Sequence, residues 1–347
     1  MSEGTPPGAK APGHVDLAGR AGRAHPVDLA GPVGLIGLGL VGTALSARLE
    51  AAGFGLLGCD RDAAAKANWL AGAPARRTTV ASATELGHRC EVVVLAVFDT
   101  AGVIDVIEGS GGLLEGTARR TVVDTSTGDP AALELLAARL AARGVRFIEA
   151  PLSGSSAQIT EGSATMLLGG DAKDIDASTS LLAALSPRRI HVGGAGMGAR
   201  AKLATNLVLG LNRAALAEGL VFAERLGIAP ATFLELVLAT PARSDAALAK
   251  GERMVQGDFA PQSRVRQHLK DVELMLQAAH SAGQRLPLTD AHARLLRAAV
   301  AAGDGELDNA AIVRQLRREA EARAEQHAEQ HAESCPPRDP AQGTPTR

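Results

Sequence analysis

The stretch "GLIGLGLVGTAL", residues 34–45, decides the fold. An apolar run leads into Gly37, Gly39 and Gly42, spaced as G-x-G-x-x-G, and an Ala- and Leu-rich run follows. The spacing alone is a weak signal in a chain of 39 glycines. Its setting strengthens it. "PVGLIGLG" reads as a strand, a helix comes next, and Asp60 ends the following strand "LLGCD", 18 residues after Gly42. In a strand–loop–helix that binds a dinucleotide, the first glycine permits the tight turn. The second lets backbone approach a pyrophosphate, and the third lets the helix pack closely. The helix start then offers free N–H groups and the positive end of its dipole to the phosphates. On this reading Gly37, Leu38, Gly39, Leu40, Val41 and Gly42 line the cofactor. The plainer alternative is a strand–turn–helix with incidental glycines. Asp60 suits a ribose 2′-hydroxyl and repels a 2′-phosphate, whereas Arg61 could accept that phosphate or stack on adenine. Because Asp60 stands at the strand end itself, the expected cofactor is NAD or NADP, with NAD favoured.

Outward from the glycine loop, two regimes divide the chain. From 31 to 194, short β-branched runs alternate with Ala/Leu-rich helical stretches. "EVVVLAVF", "RTVVDTS", "VRFIEAPLSG" and "SATMLLGG" follow the first two strands, and the first two carry continuous apolar runs of the kind buried on both faces. That alternation predicts an α/β fold, a Rossmann-like doubly wound sheet. From 195 to 320 the strand signals vanish. "ARAKLATNLVLGLNRAALAEGLVFAERLGI" reads as one long helix, and further helices break at Pro230, Pro241, Pro261 and Pro287, so the second domain is predicted to be all-helical. Residues 1–30 are rich in Gly, Pro and Ala without periodicity and are expected to form a disordered arm. Residues 321–347 are expected to continue a polar helix and end in a disordered tail. His327 and His331 in that tract could chelate a metal, but the repeated "AEQH" favours a solvated helix end.

Composition limits the possible functions. The chain of 347 residues is long enough for two domains, and 46% hydrophobic content can fill a large core. With 36 basic and 38 acidic residues, no basic surplus argues for nucleic acid or an anionic membrane. Cys59, Cys90 and Cys335 show neither metal-ligand spacing nor a disulfide framework, which favours a reducing, cytoplasmic compartment. No secretory signal and no uninterrupted membrane-spanning stretch is expected.

Four further stretches follow the glycine loop in order: "VDTSTGDP" (123–130), "FIEAPLSGSSAQITEGSATMLLGGD" (147–171), "GARAKLATN" (198–206) and "HLKDVELML" (268–276). Together they resemble the β-hydroxyacid dehydrogenase family over about residues 31 to 318. The resemblance implies a Rossmann-like domain, then a helical domain that mediates a homodimer, and a small hydroxy acid as substrate. Asp124, Ser126, Thr127 and Pro130 match the family's "D-x-S-T-x-x-P" loop, with Thr127 on the nicotinamide side. Ala150, Pro151, Ser153 and Gly154 match its substrate loop, so Ser126, Ser153, Gly154 and Ser155 are expected to face substrate. Lys202 falls on the catalytic lysine, Asn206 on the asparagine one turn later, and Lys270 and Asp271 on a "K-D" pair whose lysine lies near the cofactor. Val97 and Phe98, after the fourth strand, are expected beside the nicotinamide. The chain departs from the family pattern at Ser155, at Thr205 and at Phe98–Asp99, all where substrate shape is sensed.

The chemistry this implies is specific. Oxidising a hydroxyl with NAD needs a base for the O–H proton while hydride leaves for the nicotinamide. A free lysine, at about 10.4, is a poor base near neutrality, but burial and the cationic ring both lower that value. Asn206, at i+4, shares the face of Lys202 and could orient it or hold the substrate hydroxyl. The bland alternative is a lysine lying along the helix with its ammonium in water. For "PLSGSS" the alternatives are a carboxylate-binding nest and an ordinary turn with Ser153 as N-cap. For Lys270 the alternative is a solvated charged face, and Asp308 is expected to be a helix cap. Two other functions compete: an imine reductase, whose relatives usually lack the lysine, and a non-catalytic, cofactor-bound interaction module.

Overall fold

The computed structural model describes residues 31–72, 77–116 and 120–334. The expected arm at 1–30 and the tail after 334, with Cys335, lie outside the described residues, as does the side chain of His331. The described residues form two compact units: those up to Asn206 with Gln277–Gln284, and Leu207–Leu276 with those from Arg285 to Ser334.

In the first unit, strands and helices alternate: β1 Val33–Ile36, α1 Leu40–Ala51, β2 Leu56–Cys59, α2 Ala63–Ala71, β3 Arg77–Thr79, α3 Ala83–Arg89, β4 Val92–Leu95, α4 Thr100–Glu108, β5 Thr121–Asp124, α5 Pro130–Ala142 and β6 Arg146–Glu149. Then come β7 Leu152–Ser153, α6 Ser156–Glu161, β8 Thr165–Gly169, α7 Ala172–Ala177, α8 Thr179–Leu185 and β9 Arg188–Gly193. The sheet order is β3-β2-β1-β4-β5-β6-β8-β7, with β9 on the side of β8. Pairing is parallel from β3 through β6, antiparallel where β8 meets β6 and β7, and parallel again between β8 and β9. The order reverses between β1 and β4, so the crevice for a ligand opens at their carboxyl ends.

Why the central strands read as continuous apolar runs is visible in the packing. Val94 and Val123 join Leu45 and Leu49 of α1 in one core layer. Their neighbours Val93, Leu95 and Val122 join Ile107 of α4 and Leu136 of α5 in the other. Both faces of the sheet are covered, which is why apolar residues fill the central strands. Glycine has a packing role in β2. A Cβ on Gly58 would lie 2.8 Å from the Trp69 ring, whose Nε1 donates to Ser46 Oγ at 2.7 Å.

The long helix α9, Met197–Arg225, runs from the first unit into the second. By length and hydropathy alone it could cross a membrane. It also carries buried Leu203, Leu216, Ala217 and Leu220, together with the buried polar groups Lys202, Asn206 and Arg213. The second unit adds α10 Pro230–Ala239, α11 Asp245–Gln256, α12 Val265–Ser281, α13 Pro287–Ala299 and α14 Ile312–Ser334. Pro230 and Pro287 occupy first helical turns, where the missing N–H costs nothing. Asp308 does more than cap. It accepts the Ala310 N–H at 3.1 Å, and it also takes Lys250 Nζ at 2.8 Å and the Gln262 and Ser263 N–H groups at 2.9 and 3.1 Å, with no exposure of its own.

Candidate active site

At the mouth of β1, the three glycines meet different demands. Gly37 has φ +92°, and a Cβ there would collide with the Ala96 carbonyl. One on Gly42 would run into the Gly37 carbonyl. Gly39 differs: its φ is −73°, open to any residue, and an added Cβ would meet nothing within 4 Å. Neither backbone nor packing asks for glycine at this position, so the open space fits a group that must approach the main chain. Gly39 is also the N-cap of α1, and no side chain caps that helix. This is a cradle that suits a pyrophosphate. Leu40 and Val41 form the first turn behind it. Asp60 follows β2, and its Oδ2 accepts the Leu38 N–H at 2.7 Å while Oδ1 accepts that of Asp62 at 2.9 Å. Arg61 is exposed beside it.

The ends of β4 and β5 are tied together by a hydroxyl. Ser126 Oγ accepts the Val97 N–H at 3.1 Å, and the Ser126 N–H donates to Asp124 Oδ1 at 2.9 Å. Thr125 Oγ1 donates to the Leu95 carbonyl at 2.6 Å. Ser126 thus holds the Val97–Phe98 segment in place. Thr127 is buried next to it, whereas Phe98 is 40% exposed, a flat apolar surface at the same edge. Asp99 is spent on capping α4, accepting the Gly102 N–H at 2.8 Å.

The lysine is not a snorkelling surface residue. Lys202 is 7% exposed, and its Nζ donates to the Leu152 carbonyl at 2.6 Å and to Asn206 Oδ1 at 3.0 Å. One helical turn brings Asn206 onto the ammonium, and β7 presents the carbonyl. The "PLSGSS" segment and Asn206 therefore converge on the Lys202 nitrogen. Gly154 is pressed against Ala164, where a Cβ would approach to 2.8 Å. The helix after this loop is capped by Ser155, not by Ser153. Ser155 Oγ accepts the Gln158 N–H at 3.3 Å, and the Ser155 N–H donates to Gln158 Oε1 at 2.8 Å, a capping box. The serine that stands for a family glycine thus terminates the loop, while Ser153 stays half-buried on β7.

Glu149 is the residue that motif matching missed. It ends β6 with 1% exposure. Its Oε2 accepts the Ala199 N–H at 2.8 Å, and its Oε1 accepts the Gly196 N–H. Burial pushes its carboxyl above the usual range, although both backbone donors pull the other way. An acid inside the apolar run "FIEAP" was the available signal, since a buried carboxylate needs dedicated donors.

Lys270 lies in the helical unit on α12, 3.0 Å from Asp271 Oδ1, with both side chains largely covered, so it is not part of a solvated face. Among the described residues no group of three or more His, Cys, Asp or Glu side chains gathers to hold a metal ion.

Comparison with known proteins fits this geometry. Residues 32–194 match the family model for the NAD binding domain of 6-phosphogluconate dehydrogenase. Residues 196–316 match that for the NAD-binding of NADP-dependent 3-hydroxyisobutyrate dehydrogenase. L-threonate dehydrogenase of Cupriavidus necator is 29% identical over 284 residues, covering 81% of this chain and 95% of that protein. 2-(hydroxymethyl)glutarate dehydrogenase of Eubacterium barkeri is 30% identical over 288 residues, covering 81% and 93%. The crystal structure of 3-hydroxyisobutyrate dehydrogenase from Salmonella typhimurium superposes with a TM-score of 0.74 at 26% identity, covering 82% of this chain and 99% of that one.

Proposed function

The chain belongs to the β-hydroxyacid dehydrogenase family and is an NAD(P)-dependent oxidoreductase, and from that premise we propose that it acts on a small β-hydroxy acid or its semialdehyde with Lys202 as general acid–base. Bound NAD(P) supplies or accepts the hydride. The observation that carries the proposal is the buried Lys202 ammonium, held by Leu152 O and Asn206 Oδ1 at the substrate-loop segment. Asn206 fixes where the lysine nitrogen points, so the proton has one donor and one direction. The Ser153–Gly154 backbone and hydroxyl are suited to a substrate carboxylate, Thr127 and Phe98 to the nicotinamide side, and Lys270 to the cofactor.

NAD is the favoured form, because the Asp60 carboxylate at the end of β2 would repel a 2′-phosphate. A homodimer is supported by the exposed apolar side chains Val208 and Phe222 of α9 and Leu226 just beyond its end. The even charge balance of the chain speaks for a small-molecule partner rather than nucleic acid or membrane, and free, buried Cys59 and Cys90 suit a cytoplasmic setting.

The deciding experiment is a panel of three- and four-carbon hydroxy acids, L-threonate and 3-hydroxyisobutyrate included, offered with NAD and with NADP while nicotinamide reduction is followed by absorbance. Turnover of at least one, abolished in Lys202→Ala, supports the reading. A wild type inert to the whole panel moves the non-catalytic, cofactor-bound module ahead. Turnover of cyclic imines alone would favour an imine reductase, a reading the clamped lysine does not suit.

A further inference from the structure

The start of α9 and the tip of Lys202 are both fastened to one four-residue stretch of chain. Glu149, at the end of β6, takes the N–H groups of Gly196 and Ala199. Three residues later the Leu152 carbonyl takes Lys202 Nζ at 2.6 Å. Between these two points the helix advances less than one turn beyond Ala199. The approach is close enough to need glycines. A Cβ on Gly198 would lie 2.9 Å from Glu149 Cβ, and the same glycine backs onto the Gly169 backbone at the end of β8. The Arg200–Glu134 ion pair, at 2.8 Å, adds an exposed tie to α5 and contributes little.

We propose that Glu149 is a positioning residue for Lys202: by holding the first turn of α9 against β6, its carboxylate sets where the lysine nitrogen meets Leu152, Asn206 and the substrate. The chemistry requires a carboxylate at this point. Two N–H donors approach two oxygens, and each oxygen is an acceptor only in the ionised group. A glutamine of the same shape offers one acceptor and would turn an NH₂ toward the other donor. The α9 dipole, positive at this end, favours the charge in the same place. The raised carboxyl of Glu149 is consistent with a group kept buried for its geometry. This inference rests on Lys202 being the acid–base group.

The test compares Glu149→Gln, Lys202→Ala and the double variant, with L-threonate and 3-hydroxyisobutyrate as probe substrates. Glu149→Gln should lower kcat by roughly 10- to 100-fold, as an ångström-scale misplacement does, with the KM for NAD(P) within about twofold. Added to Lys202→Ala, it should cost no more than about a further twofold, because a positioning residue has nothing left to position. Full additivity, or wild-type kcat in Glu149→Gln, overturns the proposal. If Glu149→Gln does not fold, Glu149→Asp takes its place: shorter by one methylene, it should keep one of the two bonds and show the same split to a smaller degree. A readout without substrate separates this from the function proposed above. Acetylation of Lys202 by an N-hydroxysuccinimide ester, relative to exposed Lys173, should rise several-fold in either variant, together with amide exchange at 196–203. If Lys202→Ala retains turnover, the acid–base assignment fails while these two readouts still report on the clamp. If neither readout changes, the clamp is absent.

Discussion

The Asp60 carboxylate accepts the Leu38 N–H at 2.7 Å, across 22 residues of chain, and so joins the end of β2 to the glycine loop. The residue expected to read the ribose therefore also braces the loop suited to a pyrophosphate. Asp60→Ser should raise the ratio of NADP to NAD efficiency, because it removes the charge that repels a 2′-phosphate and leaves Arg61 to meet one. It should also cost about 1.5–3 kcal/mol of stability, the worth of one hydrogen bond to a charged acceptor. Measuring kcat/KM with both cofactors, alongside a melting curve, checks both. A wild type that already prefers NADP strongly would show that Arg61 dominates.

His292 should make the core of the helical unit sensitive to acid. His268 and His292 lie with ring centroids 5.1 Å apart, and Gly210 leaves room for them: a Cβ there would be 2.7 Å from His268 Nε2. Burial, and then the nearby Arg213 charge, push His292 down to about 4. Between that value and the ordinary 6.5 the unfolded chain binds a proton that the folded one refuses, so stability must fall as pH falls through this window. The loss between pH 6.5 and 5 should be roughly 1.5–2 kcal/mol. Melting curves from pH 7 to 5 should slope down for the wild type and flatten in His292→Gln. Equal slopes would remove His292 from the account.

Asp308 should act in the same direction, but at lower pH. Burial raises its carboxyl, but Lys250 and the Gln262 and Ala310 N–H groups outweigh that and hold it below the usual range. Its stabilisation is therefore present above about pH 4 and is lost only as pH falls through the depressed value. Asp308→Asn should cost about 3–5 kcal/mol, because Lys250 is left charged and buried. Adding Lys250→Met should recover part of it. Denaturant titration of the three variants decides; a double variant no better than the single would show that the lost backbone bonds matter more than the stranded charge.

The α/β order was legible because strands buried on both faces leave long apolar runs, and β4 and β5 carried theirs openly. β3 and β9 were not. "RTT" is a three-residue edge strand without an apolar face, and "RRIHVG" begins with two arginines. At the site, Lys202 and Asn206 could be paired from the helical period, and the structure brings them to 3.0 Å. The Leu152 carbonyl could not be anticipated, since a main-chain acceptor has no signature in sequence. Ser155 was noticed as a departure at a glycine position, yet its capping role depends on Gln158 reaching back, which only the fold of the loop shows.

Lys202 is expected to be the residue on which turnover depends. Its ammonium is buried and fixed by one carbonyl and one amide oxygen, an arrangement suited to delivering a proton in one direction. Lys202→Ala should lower turnover by about 10²- to 10⁴-fold, the usual cost of losing a general acid–base group. Cofactor affinity should barely change, because the glycine loop and Asp60 are untouched. Lys202→Arg should fail nearly as badly, since a guanidinium does not give up its proton at any working pH. Asn206→Ala should hurt less and act on both KM and kcat, because it frees the lysine without removing it. Oxidation uses the neutral amine and reduction the ammonium, so raising pH should speed the first and slow the second. Rate profiles in both directions on the same substrate check the sign. If the two profiles run parallel, or if Lys202→Ala turns over like the wild type, the lysine does not carry the proton and another group must.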